Sequence, residues 1–188
     1  LLQDERGGGL KEGLAKRDRM PVFCTAGKKD IGCRRLMELM INVSPGPKEA
    51  PAMKTADGIE VLADETGSVV LFVFKSSNEQ HIGEISYFRL VRGKLTEGME
   101  LVNARTGNKE KLAQIFAVAG KNRVKVTEMC AGDIGCTVKL KGTKTNDTLW
   151  AASDVIKIAP MIFPEPRYRA AVEAGKPGDE EKPGERPH

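Results

Sequence analysis

Between Ser68 and Trp150, six short runs rich in β-branched and aromatic residues recur at close intervals: 69–75, 82–91, 99–105, 112–119, 123–127 and 134–140. Arg92-Gly93-Lys94, Thr106-Gly107-Asn108 and Gly120-Lys121-Asn122 separate them. Glycine accepts the positive φ angles of tight turns, so these tripeptides end one run and reverse the chain into the next. Strands repeating at roughly 8–12-residue intervals predict a mainly β fold, a closed antiparallel β-barrel or a sandwich, over residues 67–150.

The flanks read differently. Residues 1–47 predict a partial α/β piece, a strand-loop-helix unit with a short strand at Pro21-Val22-Phe23-Cys24. Asp30 is placed to cap a following helix, whose Leu36, Leu39, Met40 and Val43 recur at i, i+3, i+4 and i+7. Ser44-Pro45-Gly46-Pro47 stops that helix. Residues 48–66 lack any period and read as a linker. Residues 151–188 offer one further strand at 155–158 and the run 168–174. They then pass into a Gly-, Pro-, Glu- and Lys-rich tail at 175–188, where disorder is expected.

Several chemistries are disfavoured. His81 and His188 are the only histidines of 188 residues, so neither imidazole catalysis nor a multi-histidine metal site is expected. Cys24, Cys33, Cys130 and Cys136 have eight and five residues between the members of each pair, which is neither a C-x-x-C spacing nor a disulfide framework. They read as reduced, buried thiols of a cytoplasmic protein. The longest apolar run, 69–74, has strand length, so no membrane partner is expected. The chain opens on Leu1 without a signal-peptide pattern and reads as a segment of a longer polypeptide, monomeric by itself.

Residues 67–150 hold thirteen Lys or Arg against eight Asp or Glu. An excess of five positive charges on a small module favours salt-dependent attraction to RNA phosphates, without sequence specificity. Arg92 and Lys94 flank one turn, Lys121 and Arg123 another, and with Arg89 they are the candidate RNA contacts. Solvation alone also accounts for charged turns. Few aromatics lie near these turns, which disfavours single-strand stacking.

Four groups of residues, in order, carry a resemblance. Phe72-Val73-Phe74-Lys75 comes first, followed by His81-Ile82-Gly83-Glu84-Ile85-Ser86-Tyr87-Phe88-Arg89-Leu90. Gly93-Lys94-Leu95 with Gly98 is the third, and Ala131-Gly132-Asp133-Ile134 with Asp147-Thr148-Leu149 the fourth. Together they resemble the second domain of bacterial elongation factor G, a translational GTPase. Pro21-Val22-Phe23-Cys24, with Lys29, Gly32 and Leu36, resembles the end of that family's GTPase domain. Its last guanine-contacting loop, Ser-Ala and a variable residue, then falls on Ala26, Gly27 and Lys28. Phe163-Pro164-Glu165-Pro166 and Asp179-Glu180-Glu181-Lys182 resemble the opening of the third domain.

The resemblance implies a parent that uses GTP and magnesium to move transfer and messenger RNA on the ribosome. The barrel would dock it on small-subunit RNA and relay the GTPase state to other domains of the parent. This chain has no Gly-x-x-x-x-Gly-Lys-Ser/Thr loop and no Asn-Lys-x-Asp motif, so it is not expected to be an enzyme or to hold a cofactor itself. Ala26 in place of Ser, Asn146 where the family usually has Gly, and Arg167-Tyr168-Arg169 depart from the pattern. A ribosomal protection or ribosome-recycling paralogue shares the same architecture. A stand-alone basic β-barrel that binds RNA or protein is the alternative of another class.

Overall fold

A computed structural model describes residues 5–79, 82–120, 122–151 and 156–168, with side chains from residue 9 onward. The chain divides into two compact units, Leu1–Met53 and Lys54–His188.

The first unit contains helices α1 (Glu5–Ala15) and α2 (Cys33–Asn42) and a short 3-10 turn, Gly27–Lys29. On α2, Leu39 and Val43 are buried, Leu36 is half-buried and Met40 is exposed, so the apolar stripe is covered along part of its length. Asp30 does not cap α2. It ends the 3-10 turn at φ 51°, outside the extended region a capping residue occupies, and Gly32 at φ 78° is the capping position. Pro21–Cys24 is not a strand: the described residues supply no ladder neighbour for it, and Val22 stays 87% exposed. The only bridge among the described residues of this unit is Ala26 with Ile31. Of the four free thiols, Cys136 alone is buried, and Cys24 lies exposed on that unpaired segment.

From the unit boundary onward, β1 (Met53–Lys54) and β2 (Glu60–Val61) form a small hairpin inside the stretch read as linker. The main sheet follows. Its strands are β3 (Val70–Glu79), β4 (Gly83–Arg92), β6 (Glu100–Asn103), β7 (Lys109–Lys111), β8 (Ile115–Ala119), β9 (Asn122–Val126), β11 (Ile134–Val138) and β12 (Thr148–Trp150). They run antiparallel in the order β7-β6-β12-β3-β4-β11-β8-β9, while β5 (Lys94–Thr96) and β10 (Glu128–Cys130) pair separately. The hydrogen-bonded ring is therefore not closed among the described residues: β7 and β9 are its ends. Side chains join the two ladders instead. Leu71, Val73, Phe88, Leu90, Leu101 and Ile115 of the main sheet region share one apolar cluster with Leu95 of β5 and Met129 of β10.

Burial extends to both faces of β3 and β4. Phe74 has no partner between the pairs Val73–Phe88 and Lys75–Tyr87, so a bulge resets the alternation there. Val70, Phe72, Ile85 and Ser86 are buried outside the shared cluster. Gly93 ends β4 at φ 83°, and a Cβ there would lie 2.7–2.8 Å from backbone atoms of Gly67 and Val69. No other residue fits that crossing without moving backbone. Gly132, at φ 102°, donates its N–H to Leu90 O at 2.7 Å, and Asp133 Oδ2 accepts the Cys130 N–H at 2.8 Å. Both bonds stitch the turn before β11 onto its neighbours.

Beyond β12 the described residues 156–168 contain neither helix nor strand, only a bridge of Ile158 with Thr55. Val155, the rest of the 168–174 run and the 175–188 tail lie outside the described residues. Ile158 is nonetheless buried, and its N–H donates to Thr148 Oγ1 at 3.0 Å. Asn146 is the second anchor: its Oδ1 accepts the Met161 N–H at 2.9 Å and its Nδ2 donates to Met161 O at 3.2 Å. Asn146 sits at φ 76°, a region that asparagine tolerates and glycine takes freely. Asn146→Gly should therefore preserve the bend and release the clasp. With a hydrogen bond worth about 0.5–1.5 kcal/mol, Met161 amide exchange should quicken by up to roughly tenfold while the Leu149 amide is unchanged. Equal protection of Met161 in both proteins would refute the clasp.

Candidate nucleic-acid interface

The five residues singled out for RNA contact do not share one environment. Arg89 lies half-buried on β4, between Phe72 of β3 and Ile134 of β11 in the ladder. Arg92 closes β4 with its guanidinium laid over Gly67, where a Cβ would collide with its Nε, and Nη2 is 3.9 Å from Asp64 Oδ2. It is turned onto its own module. Lys94 donates to Glu128 Oε2 at 2.8 Å across the β5–β10 ladder, and that hydrogen bond, then the charge of Glu128, raises the lysine pKa. Lys121 lies outside the described residues.

Arg123 is the most enclosed of the cations paired here. From β9 it forms an ion pair with Glu79 of β3 and reaches Tyr87 Oη of β4 at 3.5 Å. Lys75 Nζ lies 5.4 Å from the centre of the same tyrosine ring, a cation–π distance. Along the ladder β9 is three strands from β4, about 14 Å in a flat sheet, so this cluster exists because the sheet curls. The hydrogen bond to Glu79, then that to Tyr87, holds the guanidinium more firmly protonated, and Arg123 in turn lowers the Glu79 carboxyl pKa.

Other cations are paired as well. Lys109 meets Glu100 at 3.0 Å and Lys125 meets Glu97 at 2.8 Å. Arg105 donates Nε to Asp147 Oδ1 at 2.7 Å and Nη2 to Oδ2 at 2.9 Å, a two-point contact on a buried carboxylate. Lys111, Lys139, Lys141 and Lys144 form a second group, exposed and without an ion-pair partner among the described residues. Sequence reading counted these four without singling them out. The signal was the spacing Lys139-x-Lys141-x-x-Lys144 with no acid inside it.

In the first unit, Ala26, Gly27 and Lys28 are exposed. The turn is closed by bonds from Lys29 N to Ala26 O and from Asp30 N to Gly27 O, and Gly27 opens it, so its own N–H is not spent on closing the turn. No helix among the described residues is long and apolar enough to cross a membrane.

Two comparisons bear on this geometry. Residues 68–152 match the family described as Elongation factor G domain 2. A crystal structure of a protein from Thermus thermophilus is similar over 86% of this chain, with a TM-score of 0.64 and 23% identity. This chain covers 22% of that protein, and at such identity the likeness speaks for the fold.

Proposed function

We propose, from the match of residues 68–152 to the elongation factor G domain 2 family, that the chain is a piece of an elongation factor G-like translation factor whose β-module docks on small-subunit RNA of the ribosome. In this reading residues 1–47 are the end of the GTPase domain, 48–66 a connection, 67–150 the second-domain barrel and 151–188 the start of a third domain. The shared apolar cluster under both ladders supports a barrel wrapped around one core. The family match of the β-module carries the proposal. Its excess positive charge supports the RNA partner, and the cytoplasm is where such a factor works.

The piece itself turns over no nucleotide in this reading. Ala26, Gly27 and Lys28 would touch guanine only in a parent that supplies the phosphate loop and magnesium site. Equilibrium dialysis with labelled GTP should show no retention, and saturable micromolar retention would overturn this part of the proposal. Docking has its own test. Co-sedimentation with small ribosomal subunits should be weak and fall as salt rises. Three to four phosphate contacts at a slope of about 0.9 each predict a loss of roughly 40- to 150-fold between about 50 and about 200 mM salt. Absent or salt-insensitive binding would sink the docking role.

A further inference from the structure

We infer that the connection between β11 and β12, residues 139–147, is the part of the module that faces RNA phosphates, with Lys139, Lys141 and Lys144 as the contacts and Lys111 of β7 beside them. This rests on the docking reading above and assigns it a place.

The first argument is where the positive charge is left over. Arg92, Lys94, Arg105, Lys109, Arg123 and Lys125 each meet a carboxylate of the same module. Lys75 lies over Tyr87 and Arg89 is half-buried in the sheet. Apart from Lys75, which is exposed beside the Tyr87 ring, the exposed cations without a carboxylate partner among the described residues between 67 and 150 are Lys111, Lys139, Lys141 and Lys144. An ion pair within the module cancels most of the field a phosphate would feel, and these four keep theirs.

The second argument is rigidity. Glu110, buried beside Lys111 on β7, accepts the N–H of Lys141 at 3.0 Å and of Gly142 at 2.8 Å, and the Thr143 hydroxyl at 3.3 Å. Asp147 accepts the Lys144 N–H at 2.8 Å, and Arg105 Nη2 donates to Gly142 O at 2.7 Å. Two buried carboxylates thus hold the backbone at Lys141 and Lys144, and Lys139 N donates to Glu84 O at 3.4 Å, while the ammonium groups stay outside. A connection fixed before binding loses little backbone freedom on binding.

The third argument selects the partner class. The stretch 139–147 shows no exposed large apolar or aromatic side chain, so it has neither a base-stacking platform nor a buried anchor for a protein interface. Lysine ammonium groups on a rigid frame suit the repeated phosphates of folded RNA, read without regard to sequence.

The test uses the full 188-residue chain. Lys139→Gln/Lys141→Gln/Lys144→Gln is compared with Lys109→Gln/Lys125→Gln, in which two paired lysines are lost. Binding to small ribosomal subunits and to naked small-subunit RNA is measured over a salt series, beside a thermal melt of each protein. The first variant should melt as the parent does and lower the slope of log affinity against log salt by about 2.7, three contacts at about 0.9 each. The second should change the slope by less than about 1. An unchanged slope in the triple variant overturns this placement, while continued salt-dependent binding of the parent chain would leave the docking reading standing. No binding by the parent chain overturns both. Displacement by polyglutamate as effective as by RNA would assign an acidic protein surface and overturn the phosphate assignment.

Discussion

Phe88→Ala should destabilise the β-module by about 3–5 kcal/mol, the range for emptying a large aromatic site in a core. Phe88 is fully buried on β4, opposite Val73 of β3 and Gly135 of β11, within the cluster both ladders share. The loss combines the transfer of the ring with the cavity left behind, because strands hydrogen-bonded on both edges cannot collapse into it. In a module of this size the melting midpoint should fall by roughly 15 °C or more. Phe163→Ala is the matched control: the same atoms are removed from a side chain that is 59% exposed, and the midpoint should move by less than about 0.5 kcal/mol equivalent. Similar shifts for both would mean that the cluster around Phe88 is not the core.

Asp147→Ala should cost about 2–3 kcal/mol. The carboxylate accepts hydrogen bonds from Arg105, from Asn103 Nδ2 at 2.9 Å and from the Lys144 N–H, and each donor is orphaned when it goes. The figure lies below the roughly 3–5 kcal/mol of a wholly buried broken pair, since the Arg105 side chain is 45% exposed and rehydrates. A pH dependence accompanies it. Burial pushes the Asp147 carboxyl up, but hydrogen bonds from Arg105, Asn103 and the Lys144 N–H outweigh it and hold the pKa below the ordinary value. A depressed folded-state pKa gives stability that is complete above the unfolded value of about 3.9 and lost as pH falls through the folded value. Melts from about pH 7 to about pH 2 should show the parent chain approaching the alanine variant at the acid end. A constant gap across that range would mean that the carboxylate contributes through shape rather than charge.

The strands legible in the sequence were those long enough to show a pattern. The runs 69–75, 82–91 and 134–140 carry their own turn signals and became β3, β4 and β11. The three-residue strands β5, β7, β10 and β12 were missed, because three residues cannot display a period of two. Pro21–Cys24 failed in the opposite direction: it has strand composition, but a strand exists only where a neighbour takes its hydrogen bonds. Strand spacing left a closed barrel and a sandwich both open, because ring closure depends on which edges meet.

Charge shows the same division. The excess of basic residues between Gly67 and Trp150 and the candidate cations were countable in the sequence, but whether a cation is spent internally was not. Arg105 finds Asp147 42 residues away and Arg123 finds Glu79 44 residues away, distances over which only strand order and curl bring side chains together. By itself, the sequence determined the β-rich class, the glycine turns and the sign of the charge, all set by interactions within a few residues. Tertiary structure alone decided which cations are neutralised, which lysines remain and how Asn146 clasps the chain leaving β12. Those outcomes depend on the register between strands remote in sequence, and register is set when the whole core packs.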